Sequence, residues 1–272
     1  MVSKKLVVTG ASGFIGDAFC QVANNSELTV VPVSRKSNCP GFVFSKDYCD
    51  LPKGDICVHF GEDPDRARVN KRGQKYRLES GKVIDSILNN GFDYVLYASS
   101  AAVYGDSGSS PYTEDDLAYG GDEYSAIKLQ NEAKILEAGG AVVRLTNIVG
   151  RGMAKNNVLS DIIKQLPEPG PLIVRNGRPI KDFISLADVA DAITQLVMMK
   201  AVGLYNVGAG EGRSINDLAR LCLEIDGQRQ RKVISIAKSS IDFYNVVDIR
   251  KIKDSSAWNP STQLADVIKS LL

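Results

Sequence analysis

In the segment YSAIK, Tyr124 and Lys128 lie four residues apart, and upstream Ser100 closes the hydrophobic run DYVLYASS. On a helix, residues four apart share a face, which brings the phenol and the ammonium within reach of one site. A phenol of unperturbed pKa about 10 is a poor base near neutral pH and needs a nearby positive charge to favour the phenolate. Lys128 can supply that charge. Taken alone, Y-x-x-x-K is a common pair on helix surfaces. Its weight here comes from Ser100, which a strand over DYVLYASS would deliver to the carboxyl edge of a sheet, where ligands of doubly wound folds collect. The next two residues, Ala101 and Ala102, cannot transfer protons.

A glycine turn accompanies these side chains. Gly10, Gly13 and Gly16 are spaced G-x-x-G-x-x-G directly after the β-branched run KLVVT, with Ile15, Phe19 and Val22 at helical spacing. Glycine lets a backbone approach a pyrophosphate closely, and unpaired N–H groups at a helix start attract its charge. Such a triplet alone can be a tight turn; in the first strand-to-helix turn of an alternating chain it is where dinucleotides bind. An acidic residue about 20 positions on would accept the ribose hydroxyls of NAD. This chain has Ser34, Arg35 and Lys36 there. Two cations without a carboxylate favour the 2′-phosphate of NADP(H); the alternative is NAD(H) bound without a carboxylate, the cations being merely solvated. Asp50 and Leu51 fall where a third strand would end and are candidates to contact the adenine.

The elements that must hold these groups follow from periodicity. LTVVPVS, DICVHFG and DYVLYASS read as buried strands, helices are expected over about 74–88 and 122–137, and AVVRLTNIVG (141–150) continues the alternation as a strand. Right-handed crossovers then imply an α/β fold, a doubly wound parallel sheet of the Rossmann type. After Gly150 the texture changes to QLPEPGPLIVRNGRP, rich in Pro and Gly, before SLADVADAITQLV and GLYNVGAG return as a helix and a strand of the main sheet. The expected division is a dinucleotide-binding domain over 1–150 and 183–210 and a small C-terminal substrate-binding lobe over 151–182 and 211–272. The tail adds an amphipathic helix through Ile215, Leu218 and Leu221, an isolated strand KVISIA, and Trp258.

Composition narrows the partners. A 272-residue chain, 44% hydrophobic and 24% charged, is an ordinary folded protein, and 33 basic against 32 acidic residues leave no overall field to hold a nucleic acid or an anionic membrane. An anionic ligand must be gripped locally. Five cysteines without C-x-x-C spacing and a single histidine, His59, do not make an ordinary zinc site, so no metal is expected, and they suit a reduced cytoplasmic setting. MVSKKLVVTG reaches its glycine turn too soon for a signal peptide, and no run approaches a membrane span, so neither export nor a membrane is expected.

TGASGFIG, SSAAVYG, YSAIK, RLTNIVG and KDFISLADVADAI occur in that order. Together they resemble the extended short-chain dehydrogenase/reductases, the NAD(P)-dependent nucleotide-sugar epimerases, dehydratases and 4-ketoreductases, over most of the chain. The resemblance implies that Ser100 hydrogen-bonds the reacting sugar oxygen, that Tyr124 is the general acid/base, and that Lys128 holds the nicotinamide ribose and lowers the tyrosine pKa. It places Ser12, Phe14 and Ile15 along the pyrophosphate, Phe60 and Gly61 near the adenosine, Ser99 and Thr146 beside the cofactor, and Ala101 and Asn147 on the nucleotide-sugar side. Lys181, before Asp182-Phe183, stands where the family usually has an arginine gripping the diphosphate; the charge is kept and the bidentate fork lost. The usual Asn-x-x-Gly-Thr of the fourth helix is absent, with Leu78 and Ser80-Gly81-Lys82 in its place.

The family's branches share a hydride step and differ in what else the site supplies. Its 4,6-dehydratases carry an acid and a base directly after the serine, where this chain has Ala101 and Ala102. Its 3,5-epimerase/reductases need a further cysteine and histidine, and no such pair is evident. A 4-ketoreductase using NADPH or a 4-epimerase retaining NAD remains, Arg35 and the shortened lobe favouring the reductase; a cofactor-binding sensor without turnover is the reading from another class. His59 is expected to pack, the cation-rich DPDRARVNKRGQKYR to be a solvated face, and Trp258 to anchor a core. The helices near 74–88 and 122–137 form either a homodimer interface, as in the family, or part of the chain's own core.

Overall fold

The computed structural model describes residues 3–237 and 243–272. In chain order, β1 (Lys5–Thr9), α1 (Phe14–Ala23), β2 (Thr29–Ser34), β3 (Val43–Phe44), β4 (Ile56–His59), α2 (Arg66–Arg72), α3 (Gln74–Leu88), β5 (Tyr94–Ser100), α4 (Glu123–Glu137) and β6 (Ala141–Leu145) form the first half. There follow β7 (Asn147–Val149), α5 (Val158–Gln165), β8 (Leu172–Val174), β9 (Ile180–Ser185), α6 (Leu186–Met199), β10 (Gly203–Val207), β11 (Gly212–Ser214) and α7 (Ile215–Ile225). The tail adds β12 (Val233–Ser235), β13 (Tyr244–Asn245), α8 (Arg250–Ser255) and α9 (Leu264–Leu271). No helix among the described residues is long and apolar enough to cross a membrane.

Seven strands make one parallel sheet in the order β10-β6-β5-β4-β1-β2-β3. Because both faces are covered, its central strands read as continuous apolar runs rather than alternating ones. Leu6, Val8, Phe19, Leu96, Ile193 and Leu196 form the core on the α1 and α6 side. Val7, Ile84, Ile87, Tyr97, Ile135 and Val142 form it on the α3 and α4 side. The apolar residues of α3 and α4 are thus largely spent inside the chain, and Leu78 is the large apolar side chain that α3 leaves exposed.

The strand order reverses between β1 and β4, which opens a crevice at their carboxyl ends. There Phe60 donates its N–H to the Thr9 carbonyl at 3.0 Å. Gly10, at φ 71°, has no room for a side chain: a Cβ would lie 2.7 Å from the Phe60 carbonyl carbon. At Gly16 a Cβ would stand 2.3 Å from the Gly10 oxygen, so the start of α1 packs directly on the turn.

The strand expected over 141–150 divides at Thr146. β6 stays in the main sheet, while β7 leaves it to pair with β9, Asn147 opposite Phe183. β9 centres a second sheet with β11 and β13. β12 is not isolated, since it pairs in parallel with β8, Val233 opposite Leu172. This lobe has its own core around Leu159, Ile162, Val174, Leu218, Cys222 and Ile268. The helix α6 and strand β10 belong to the main sheet's layer, with β10 at its edge.

Trp258 fastens the tail to this frame. Its ring is buried, and Nε1 donates to the Asp188 carbonyl at 3.0 Å; the Asp188 carboxylate accepts the N–H groups of Ser261 and Thr262 at 3.1 Å each. Trp258→Ala should lower unfolding stability by about 3–5 kcal/mol, as truncation of a buried aromatic does. Chemical denaturation at neutral pH measures this, and a loss under about 1 kcal/mol would show that the tail is not so anchored.

Candidate active site

Each member of the serine, tyrosine and lysine set is placed by a different local device. Ser100 ends β5 and caps the 3₁₀ turn Ala101–Tyr104, its Oγ accepting the Ala102 N–H at 3.2 Å. The hydroxyl hydrogen is therefore left to donate outward. Tyr124 lies in the first turn of α4, whose start is capped by Asp122: Oδ1 accepts the Ser125 N–H at 2.9 Å. Asp122 Oδ2 also accepts Arg66 Nε at 2.5 Å and Asn70 Nδ2 at 2.8 Å, while Asn70 Oδ1 accepts the Tyr124 N–H at 2.8 Å. The cation-rich segment is therefore more than a solvated face. It folds as α2, with Asp65 as its cap, and docks on the helix that carries Tyr124. Arg66, Arg68, Arg72 and Arg77 are each taken up in intramolecular ion pairs.

Lys128 is buried. Its ammonium donates to the Ala98 carbonyl at 2.8 Å and pairs with Glu62 Oε2 at 2.7 Å, 5.9 Å from the centre of the Tyr124 ring. Glu62 went unread in the sequence, although it directly follows the H-F-G of the strand end. Burial works to raise its pKa; the Lys128 charge and donated hydrogen bonds overcome that and hold it at about 2. The pair in turn raises the Lys128 pKa against the effect of burial. His59 packs: it is buried, its Nδ1 lies 2.6 Å from Thr9 Oγ1, and burial pushes its pKa down to about 4, which leaves the ring neutral.

A cleft of about 910 Å³ brings Phe14, Ile15, Phe60, Ser99, Ser100, Tyr124, Lys128, Thr146 and Asn147 together, with Glu62 and the start of α2 on one wall. A smaller pocket of about 370 Å³ adjoins Glu62 and is lined by Arg35, Gly61, Tyr48 and Lys82. Gly13 opens α1 without a side-chain cap, so the first N–H groups of the helix are available to a pyrophosphate. Ser12 Oγ and Ser34 Oγ bond to each other at 2.7 Å, and Ser34 Oγ accepts the Lys36 N–H at 3.0 Å, which ties the glycine turn to the end of β2. These features fit a dinucleotide.

Four expected contacts are placed elsewhere. Leu51 is buried in the core and Asp50 is exposed; Asp47 and Tyr48 line the smaller pocket instead. The reason is that β3 has only two residues, and the chain turns early through Tyr48, which adopts a left-handed conformation at φ 63°. Tyr48 then receives the Gly10 N–H on its hydroxyl at 3.1 Å and stacks beneath the Arg35 guanidinium at 5.0 Å. Ala101 is turned into the main core by the 3₁₀ turn. Lys181 does not line the cleft; its ammonium pairs with Asp106. Asp182, beside it, is buried and accepts Thr146 Oγ1 and the N–H groups of Ala209 and Gly210, and burial raises its pKa to about 6.

A glycine turn at the switch point of a parallel sheet, with a serine, tyrosine and lysine converging beside it, defines an enzyme of the extended short-chain dehydrogenase/reductase type. The chain belongs to the NAD dependent epimerase/dehydratase family, whose sequence profile matches residues 6–208. Among curated relatives, a UDP-glucose 4-epimerase of Azospirillum brasilense is 25% identical over 99% of this chain and 91% of its own. A dTDP-4-dehydro-6-deoxyglucose reductase of Escherichia coli is 24% identical over 69% of this chain and 63% of its own. Among solved structures, RMD from Pseudomonas aeruginosa complexed with NADPH aligns with a TM-score of 0.86 at 21% identity, covering 99% of this chain and 98% of that one.

Glu62 makes a pH prediction. A carboxylate whose folded pKa is depressed contributes stability that is present above its unfolded pKa and lost as pH falls through the folded value. From about pH 4.5 down to about pH 2, the thermal midpoint of the parent protein should fall more steeply than that of Glu62→Gln. Parallel curves from the two proteins would mean that Glu62 is not held ionised by the fold.

Proposed function

We propose that this protein reduces the 4-keto group of a nucleotide-activated sugar, a 4-keto-6-deoxy sugar in the first instance, with NADPH as the hydride source. The observation that carries the reading is the adenosine-side pocket. Arg35, Lys46 and Lys82 line it, Arg72 there is paired with Glu79 and Glu62 with Lys128, and no acidic residue directly follows β2 where NAD would present its ribose hydroxyls. A 2′-phosphate suits those cations, and an exchangeable NADPH suits a reductase. The NADPH in the aligned RMD structure and the reductase among the curated relatives support the same choice. Ala101 and Ala102 supply neither the acid nor the base that loss of water requires.

A nicotinamide cofactor, when bound, would supply the hydride for the sugar carbonyl carbon. The glycine turn and the open start of α1 would hold its pyrophosphate, and Arg35 its ribose phosphate. Ser100 donates its free hydroxyl hydrogen to the carbonyl oxygen. Tyr124 gives that oxygen a proton as the carbon–oxygen double bond becomes a single bond, and the resulting phenolate is stabilised by Lys128. In the reverse direction Tyr124 takes the proton back. The nucleotide-sugar side belongs to Asn147, whose Nδ2 is tied to the Asp182 carbonyl at 2.8 Å, and to the α2 wall. The five free thiols suit a reducing, cytoplasmic compartment. Self-association through α3 and α4 would use their charged outer faces around Leu78.

A second reading, a 4-epimerase that retains NAD, is favoured by the Azospirillum relative. One experiment separates the two. Protein incubated with NADPH and a panel of nucleotide-linked 4-keto-6-deoxy sugars should oxidise the cofactor. Isomer exchange of ordinary nucleotide hexoses without added cofactor, and no oxidation in the first set, would make it an epimerase.

Two variants test the residue roles. Tyr124→Phe should lower turnover by on the order of a hundredfold to ten-thousandfold while cofactor affinity is kept. An active Tyr124→Phe would remove the tyrosine from the mechanism. Arg35→Ala should weaken NADPH binding by on the order of tenfold or more, the scale of one charge-assisted hydrogen bond, and leave NADH nearly unchanged. Equal losses for the two cofactors in a binding titration would contradict the 2′-phosphate assignment.

A further inference from the structure

We infer that Glu62 is a positioning residue that sets the proton affinity of Tyr124 through Lys128, keeping the phenol protonated and ready to donate. This rests on the oxidoreductase reading and deepens it, because a site that works chiefly in the reducing direction needs its tyrosine as an acid.

The geometry of Glu62 is that of a built part. Oε1 accepts Ser80 Oγ at 2.7 Å and Asn131 Nδ2 at 2.6 Å; Oε2 accepts Tyr97 Oη and Lys128 Nζ, each at 2.7 Å. Four donors fill the acceptor sites of a carboxylate. They come from β5, α3 and α4, so three elements fix one side chain. Its partner is fixed too. A lysine ammonium has three N–H groups, and Glu62 and the Ala98 carbonyl take two of them. One is left for the cleft.

The electrostatic consequence follows from the charge count. An isolated ammonium near Tyr124 would favour the phenolate strongly. Paired with a carboxylate at 2.7 Å, it acts as a dipole, and its pull on the phenol is weakened. The other groups that face Glu62 do not restore the missing charge. His59 from β4 is neutral, and Tyr97 from β5 and Tyr76 from α3 have pKa values pushed up by burial. Glu132 on α4 is occupied by Arg144, and Arg35 at the end of β2 lies over Tyr48. Removing the Glu62 charge therefore makes Tyr124 easier to deprotonate. A role confined to holding the fold together would leave that proton where it is.

The test follows Tyr124 itself. In protein labelled with isotope at tyrosine Cζ, the Tyr124 resonance is assigned by its loss in Tyr124→Phe and titrated in the parent and in Glu62→Gln. The Tyr124 midpoint should move to lower pH by about one unit in Glu62→Gln, and Glu62→Asp, which keeps the charge, should titrate close to the parent. An unchanged or raised midpoint in a folded Glu62→Gln overturns the inference. Should Glu62→Gln prove too unstable to purify, Glu62→Ser, which admits water beside Lys128, carries the same expectation and the same refutation. The alkaline limb of NADPH-dependent reduction should move in the same direction as the resonance. The titration needs no substrate, so a protein that reduces no sugar in the panel would refute the functional reading and leave this measurement standing.

Discussion

A lysine ammonium inside a protein must be paired, and the way Lys128 is paired orders the whole carboxyl edge of the sheet. An unpaired charge at that depth would cost several kcal/mol. Glu62 answers it from the strand end next to the glycine turn, and the Ala98 carbonyl answers it from the strand that delivers Ser100. Both faces of the site are therefore referenced to one atom, Lys128 Nζ. The chain after β4 and the end of β5 are tied together by α4, because Lys128 bonds to Glu62 on one and to Ala98 on the other.

The second organising contact is Asp122. One carboxylate caps α4, receives Arg66 and Asn70 from α2, and so brings a wall of the cleft into register with Tyr124. A short helix of seven residues would be marginal by itself. Here it is stabilised by docking, and its arginines, though exposed, are each engaged with an Asp or Glu partner. The cation-rich segment is thus both a solvated face, as expected, and a docking element, the arginines of α2 remaining exposed while they pair with carboxylates of the chain.

What was legible in the sequence is what depends on local pattern. The glycine turn, the buried runs of β1, β4 and β5, the bounds of α3, and the shared face of Tyr124 and Lys128 follow from spacing within a few residues, whereas Ser100 is joined to them by its place at a strand end and by the family resemblance. Positions set by tertiary geometry were harder to read. Asp47 and Tyr48, rather than Asp50 and Leu51, line the smaller pocket because β3 stops after two residues, which no periodicity announces. Ala101 faces the core because Ser100 caps a 3₁₀ turn. The division of 141–150 into β6 and β7, and the pairing of KVISIA with β8, depend on partners distant in sequence. Glu62 was invisible for a related reason: its meaning lies in four donors drawn from three other elements.

The break at Thr146 couples the two parts of the molecule mechanically. A single residue separates a strand of the main sheet from a strand of the lobe, and its side chain is bonded to Asp182 across the junction at 3.1 Å. Thr146 and Asn147 also line the cleft. On either side of that residue the backbone is held in a different sheet, β6 between β5 and β10 and β7 against β9. The cleft wall and the second sheet thus meet in one peptide unit, Thr146 to Asn147, so a substitution in either sheet next to that junction bears directly on the shape of the cleft.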